Sequence, residues 1–280
     1  MSEVNERKHT FNAEAMVLSG KLELPVSQPI EPQTHSKLDP AGGYFTQRSD
    51  GYRLESIISY SAAYSHVAGV KSKKPGEGHT TLTTTVLEGL NVLEVVTADR
   101  VVGQTITDHP LEGYLPSISF LGTRFDNLRI AGFPVQLEFD YDIFGQRPID
   151  DLPYASNPGV VSRVSRQYDR ILQNKNLSTA VKSYYNQLSS TLGAPEKIEC
   201  SLVNRVAGLF PGTVSGNVIT IPGFGVITLA KLTVRHEDPI GDTKVHKKTT
   251  FNLTMIDLKL GCAAEGNVPV GDGTSNGTGG

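Results

Sequence analysis

The sequence predicts a mainly β domain, either a β-sandwich or a β-solenoid-like stack, with an α-helical hairpin inserted at residues 157–193. Three observations predict it. Over residues 135–143, Val135, Leu137, Phe139, Tyr141 and Ile143 alternate with Gln136, Glu138, Asp140 and Asp142, the period of a half-buried strand. Residues 80–107 are dense in threonine and valine, whose branched side chains suit a pleated surface. After Asn157 and Pro158 the spacing changes to three and four residues, as on one face of a helix.

Taken in order, residues 1–12 read as a flexible arm and 13–270 as a single domain. A first strand region covers 13–24. Residues 25–43 hold four prolines and two glycines, and proline removes ladder donors, so an extended crossing segment is expected there and not a central strand. A strand over 52–60 is followed by a glycine- and lysine-rich loop at 69–79. Strands then follow at 80–86, 92–97, 100–107, 115–121, 125–130 and 135–143. Gly89, Val92, Ala98 and Val102 recur 33 positions later as Gly122, Phe125, Ala131 and Val135, a spacing that suits stacked β units. Asn157 caps a first helix carrying Val161, Val164, Tyr168, Ile171 and Leu172. A break at 174–176 separates it from a second with Leu177, Val181, Tyr184, Tyr185, Leu188 and Leu192, ended by Gly193 and Pro195. Strands resume at 198–203, 218–221, 226–234 and 249–260. In the last, Phe251, Leu253 and Met255 are apolar at odd positions and Ile256, Leu258 and Leu260 at even ones. A one-residue shift reverses a strand's faces, so either a bulge or a passage between layers is expected at 255–256. Residues 271–280 lack any apolar anchor and read as a flexible tail.

The 280 residues suffice for a full core, and the net charge of -3 argues against a nucleic-acid partner, which needs a basic face. No apolar run is long enough to span a membrane as a helix, and the polar start lacks a secretory leader. A cytoplasmic location or export by a non-Sec route is therefore expected. Cys200 and Cys262 are too few for a disulfide framework; whether they pair is left open.

No complete catalytic, metal or nucleotide motif occurs, so the chain is not expected to be an enzyme, and no cofactor is expected beyond calcium. Glu138, Asp140 and Asp142 share one strand face, and three oxygen ligands could help hold that ion. His236 and His246 flank a polar turn that could bring them together around a transition metal. Tyr44, Tyr52, Tyr60 and Tyr64 could form an aromatic ligand platform, apolar on one face and wet at one end. Tyr168, Tyr184 and Tyr185, on the hairpin's apolar stripes, are the candidate interaction surface.

The segments VLEGLNVLEVVTADRVV, ISFLGTRFDNLRIAGFPV, NVITIPGFGVITL and FNLTMIDLKLGCA, in that order, resemble the choice-of-anchor P proteins of bacterial surfaces. The resemblance covers roughly residues 80–140 and 215–265. It implies an all-β domain associated with the cell envelope or exterior, no enzyme activity, and no functional residues to carry over. The chain departs from that pattern in its helical hairpin and in lacking a leader peptide and an anchoring tail. The expected function is a non-enzymatic structural or assembly protein, a homo-oligomer or one bound to an envelope protein. The alternatives are a glycan-binding β module and an enzyme with a dispersed site around His236 and His246.

Overall fold

A computed structural model describes residues 9–22, 27–73, 78–111, 115–148, 152–237, 248–261 and 266–279. The strands are β1 (His9–Leu22), β2 (Gln28–Lys37), β3 (Gly43–Leu54), β4 (Ile58–Lys71), β5 (His79–Val92), β6 (Val96–His109), β7 (Ser117–Ser119), β8 (Arg124–Asp126), β9 (Arg129–Ile130), β10 (Phe133–Pro134) and β11 (Gln136–Phe139). A short 3-10 helix (Tyr154–Ser156), α1 (Pro158–Leu172) and α2 (Thr179–Ser190) follow. Then come β12 (Lys197–Ser201), β13 (Val203–Ala207), β14 (Thr213–Ser215), β15 (Val218–Ile221), β16 (Gly225–Glu237), β17 (Lys248–Leu260) and β18 (Gly266–Gly279). One sheet runs β14-β15-β16-β17-β18-β1-β2, with β12 also on β16. The second runs β10-β9-β6-β5-β4-β3, with β7 and β8 also on β6. All described pairings are antiparallel.

The two sheets face each other as a sandwich, and the fold is mostly β, as the sequence predicts. Of the two architectures expected, the stack is not seen. The second copy of the 33-residue repeat becomes β8 and β9, which pair with β6 itself, at Val101↔Phe125 and Thr97↔Arg129. The sheets approach closely where small residues meet. A Cβ on Gly103 would lie 3.0 Å from Met255 Cγ, and one on Gly273 would lie 3.1 Å from Thr83 Oγ1. Further along, the core turns large and apolar. Phe251 is fully buried and meets the rings of Phe144 and Tyr154 edge-to-face at 6.0 and 5.7 Å.

A transverse crease crosses each sheet, and it resolves the irregularity at 255–256. In the first sheet the row is Thr34, Val17, Gly271, Met255 and Ala230. The strands stay in register on both sides of it, with Met16↔Asp272 and Leu18↔Val270, Thr254↔Asp272 and Ile256↔Val270. Alternate members have left-handed backbone: Thr34 (φ 53°), Gly271 (φ 67°) and Ala230 (φ 44°). The buried face changes parity there in β1, at Val17 and Leu18, in β16, at Leu229 and Ala230, and in β17, at Met255 and Ile256. A bulge adds a residue to one strand and shifts register. Across β1, β18, β17 and β16 the strands change together, so register survives; between β1 and β2 the register does shift, between Leu18 and Gly20. The second sheet repeats the device along Ser61, Gly89 (φ 65°), Asp99 and Asn127 (φ 51°). Gly89 is required, since a Cβ would sit 2.6 Å from Ser61 Oγ.

Four expectations need correcting. Residues 271–279 are not a flexible tail but the outer half of β18, bonded to both β1 and β17; small side chains are needed where the sheets close up. Likewise residues 9–12 of the expected arm belong to β1, while residues 1–8 lie outside the described ones. Of residues 135–143 only Gln136–Phe139 forms a strand, paired with β13 alone. Asp140 Oδ1 then accepts from the Asp142 backbone N–H (3.2 Å) and Gly145 N–H donates to Asp142 O, closing a turn. The strand expected over 52–60 is two strands joined by a turn in which Glu55 has φ 49°.

At the small-residue end three imidazoles meet between the sheets. His9 stacks on His79 (centroids 4.1 Å, 7° between planes) and lies 5.0 Å from His109. Burial, reinforced by the neighbouring imidazoles, lowers His9 to about 4 and His109 to about 3. The folded state therefore keeps them neutral while the unfolded chain takes up protons near 6.5. Their stabilisation is present in full above that value and is lost as pH falls from about 6.5 towards 3. The melting temperature is expected to drop by several degrees between about pH 7.5 and pH 5, with a smaller drop in His109→Leu. Circular dichroism melts would measure both.

Candidate functional site

The hairpin forms as its sequence suggests. Asn157 Oδ1 accepts from Gly159 N (3.0 Å) and Val160 N (3.2 Å), with Pro158 at the first turn. Ser178 caps α2 through the Val181 N–H. Arg163 Nε donates to Ile143 O at 2.7 Å and ties α1 to the preceding turn. Val160, Val164, Tyr168 and Ile171 bury the inner stripe of α1 against the chain's own sheet. Gln167 acts there like a strand edge. Its Nε2 donates to Ser201 O (2.9 Å) and its Oε1 accepts from Ser201 N (3.1 Å).

Beneath the hairpin, charged side chains rise from otherwise apolar strands. Glu199 of β12 is buried between Ile198 and Cys200. Its carboxylate accepts from the Tyr184 hydroxyl and pairs with Lys197 Nζ, while Lys231 Nζ of β16 lies 3.9 Å away. Lys231 also meets Asp257 of β17 at 3.5 Å. The Tyr168 hydroxyl donates to Glu199 O. Lys259 Nζ sits 5.4 Å from the centre of the Tyr184 ring and makes no ion pair with a described residue.

Burial would raise the Glu199 pKa, but Lys197, Tyr184 and Lys231 outweigh it and hold the carboxyl below its usual range. The tyrosines shift the other way. Burial, and then the Glu199 charge, push Tyr168, Tyr184 and Tyr185 well above the ordinary phenol value. Burial does the same to the Cys200 thiol. No phenol or thiol here is poised to ionise near neutral pH, so none is an activated nucleophile.

A hollow of about 130 Å³ lies between α2 and the sheet, lined by Tyr185, Val181, Val218, Val226, Lys231 and Lys259 among others. A second, of about 360 Å³, adjoins it across Tyr184 and Glu199 and continues to Leu188 and Leu192. Together they form a groove along the underside of α2. Tyr185 is the only buried residue of that helix, so the roof is lightly held.

Of the sequence candidates the three hairpin tyrosines are brought together, Tyr185 meeting the rings of Tyr168 and Tyr184 at 5.7 and 5.3 Å; the others are not. Tyr168 and Tyr185 are buried and Tyr184 leans on Lys259, so this trio faces the chain's own sheet and is not an outward interaction surface. The four strand tyrosines form no single platform. Tyr44 and Tyr64 lie on the outer face of β3 and β4. Tyr60 is buried with Tyr52 stacked on it at 5.6 Å, because the crease reverses the faces between them. Glu138 accepts from Asn204 Nδ2, whereas Asp140 is engaged in its own turn with Asp142. Among the described residues no group of three His, Cys, Asp or Glu side chains is placed to hold a metal ion. His236 bonds Thr249 Oγ1 (3.0 Å); His246 and Cys262 lie outside the described residues.

Sequence reasoning missed Glu199, Lys231, Asp257 and Lys259. The signal was a charge inside each of three apolar strands, in IEC, AKL and IDLKL. Over residues 9–235 the chain matches a family model described as Domain of unknown function (DUF8256). No curated protein and no solved structure matches it. The matched span takes in the hairpin, Glu199 and Lys231.

Proposed function

Because the chain belongs to the DUF8256 family, whose function is undefined, we propose from its own geometry that it is a non-enzymatic binding module whose ligand sits beneath the helical hairpin. The groove under α2 carries this reading. Its walls are tyrosine and aliphatic side chains, with a few converging polar groups, the usual make-up of a ligand site. The smaller hollow is close to the roughly 150 Å³ apolar cavity that admits benzene. Among the described residues Lys259 is the lining cation that makes no ion pair, so the ligand we propose is a small aromatic or aliphatic body with one negative charge. The raised phenols and thiol favour binding over covalent chemistry. The expectation of an envelope location rests on the resemblance and not on this site.

Anilinonaphthalene sulfonate, an aromatic anion, is a suitable probe. Saturable one-to-one binding to the cooperatively folding protein is expected, weakened about tenfold or more by Lys259→Glu. Val181→Trp should fill the hollow and abolish it. Fluorescence titration that saturates identically in all three proteins, or not at all, would refute the reading.

A further inference from the structure

The four ends of the two sheets are guarded unequally. β14 has 3 residues and β10 has 2, too few to template another strand. β2 carries Pro29 and Pro32, and its His35 N–H is capped by Gln47 Oε1 at 3.0 Å. β3 differs: it runs 12 residues without proline, pairs only with β4, and is exposed along nearly its whole length, Tyr44 by 82%. Its contacts with β2 involve side chains that point inward, Thr34 Oγ1 with Ser49 Oγ at 2.8 Å among them. No described residue bonds the backbone groups that β3 turns away from β4. Unprotected edges of this length are where another strand adds.

We infer that β3 is the contact between two copies of this chain, joined as an antiparallel pair about a two-fold axis at Ser49. The charge pattern selects this occupant and register. Arg48 and Asp50 pair with Tyr64 and Ala62 and share the outer face, with side chains 62% and 91% exposed. Within one chain they lie 3.4 Å apart, next to each other along the strand. In a symmetric antiparallel pair centred on Ser49, Arg48 stands directly opposite the second copy's Asp50, and Asp50 opposite its Arg48. Opposite charges facing across a ladder stabilise it, and like charges disrupt it. The Tyr64 ring, 5.2 Å from the Arg48 guanidinium, fixes that cation on the outer face. A two-fold contact needs such self-complementarity, whereas an unrelated partner strand would not. The inference is independent of the groove under α2, which lies on the other sheet.

Sedimentation velocity over about three decades of protein concentration tests it. The protein is expected to shift from monomer to dimer as concentration rises. Asp50→Arg and Arg48→Asp alone should each leave a monomer, by placing like charges opposite one another. The double reversal Arg48→Asp with Asp50→Arg should restore the dimer. Ser49→Cys, which faces itself across the axis, should give a disulfide-linked dimer under oxidation that the parent protein lacks. Arg48 and Asp50 are exposed, whereas Ser49 points inward and bonds Thr34 and Tyr60, and melts confirm that each variant folds. A monomer at every concentration, a dimer indifferent to the single reversals, or a double reversal that fails to restore it would overturn the inference.

Discussion

Deleting residues 271–280 is expected to abolish cooperative folding. These residues hold no large apolar side chain, yet the segment lies between two other strands. Its backbone pairs with β1 from His9 to Met16 and with β17 from Lys248 to Thr254. Removing it strips on the order of ten ladder hydrogen bonds, each worth roughly 1 kcal/mol. It also leaves a slot between β1 and β17, under which Thr83 and Thr85 have no facing layer. Against a total of about 5–15 kcal/mol for a typical domain, that loss is decisive. A truncated protein should show no sigmoidal melt by circular dichroism and should aggregate. If the truncated chain melted like the parent, the central place of β18 would be wrong.

The second large effect is expected from Phe251→Ala. Phe251 is fully buried, and its ring closes an aromatic cluster with Phe144 and Tyr154. Tyr154 is itself fixed by its hydroxyl, which donates to Pro116 O at 3.0 Å; burial pushes its pKa up to about 12. Because Tyr154 begins the 3-10 helix that leads into α1, a cavity here loosens the hairpin's footing as well as the core. Removing a buried phenylalanine ring costs about 3–5 kcal/mol. Urea unfolding should show the midpoint falling with an unchanged slope, and Phe251→Leu should fall between the two. A midpoint within error of the parent would mean that the ring is not packed as described.

What the sequence disclosed followed the range of each signal. The helices were legible because caps and stripes are local: Asn157, Pro158 and the apolar positions of α1 lie within fifteen residues of one another. The β character of 80–109 was legible too, although the segment forms two long strands where three were expected, turning at Leu93 and Glu94. The prolines at 29 and 32 spoke correctly against a central strand; the segment is an edge. Composition misled at β18, because burial there is set by how near Thr83 and Met255 come, a fact held by other strands. Alternation misled at 135–143, because it reports half-burial and not whether a partner strand is available. The site was hidden for the same reason as β18. Glu199, Lys231 and Asp257 are far apart along the chain and meet only after β12, β16 and β17 pair.

The pairing of β1 with β18 also sets an order of events. During synthesis β1 emerges long before β18. Strands β3 to β6 follow one another as neighbours and can zip together as they appear, which favours quick local formation. The opposite sheet cannot close until its final strand is released between β17 and β1. Until then the inner face of the early sheet, with Ile58, Leu87, Leu90 and Val101, has no complete cover. A nascent chain in that state is exposed to misassembly, and its slowest step is expected to be the insertion of a glycine-rich segment that carries almost no hydrophobic drive of its own.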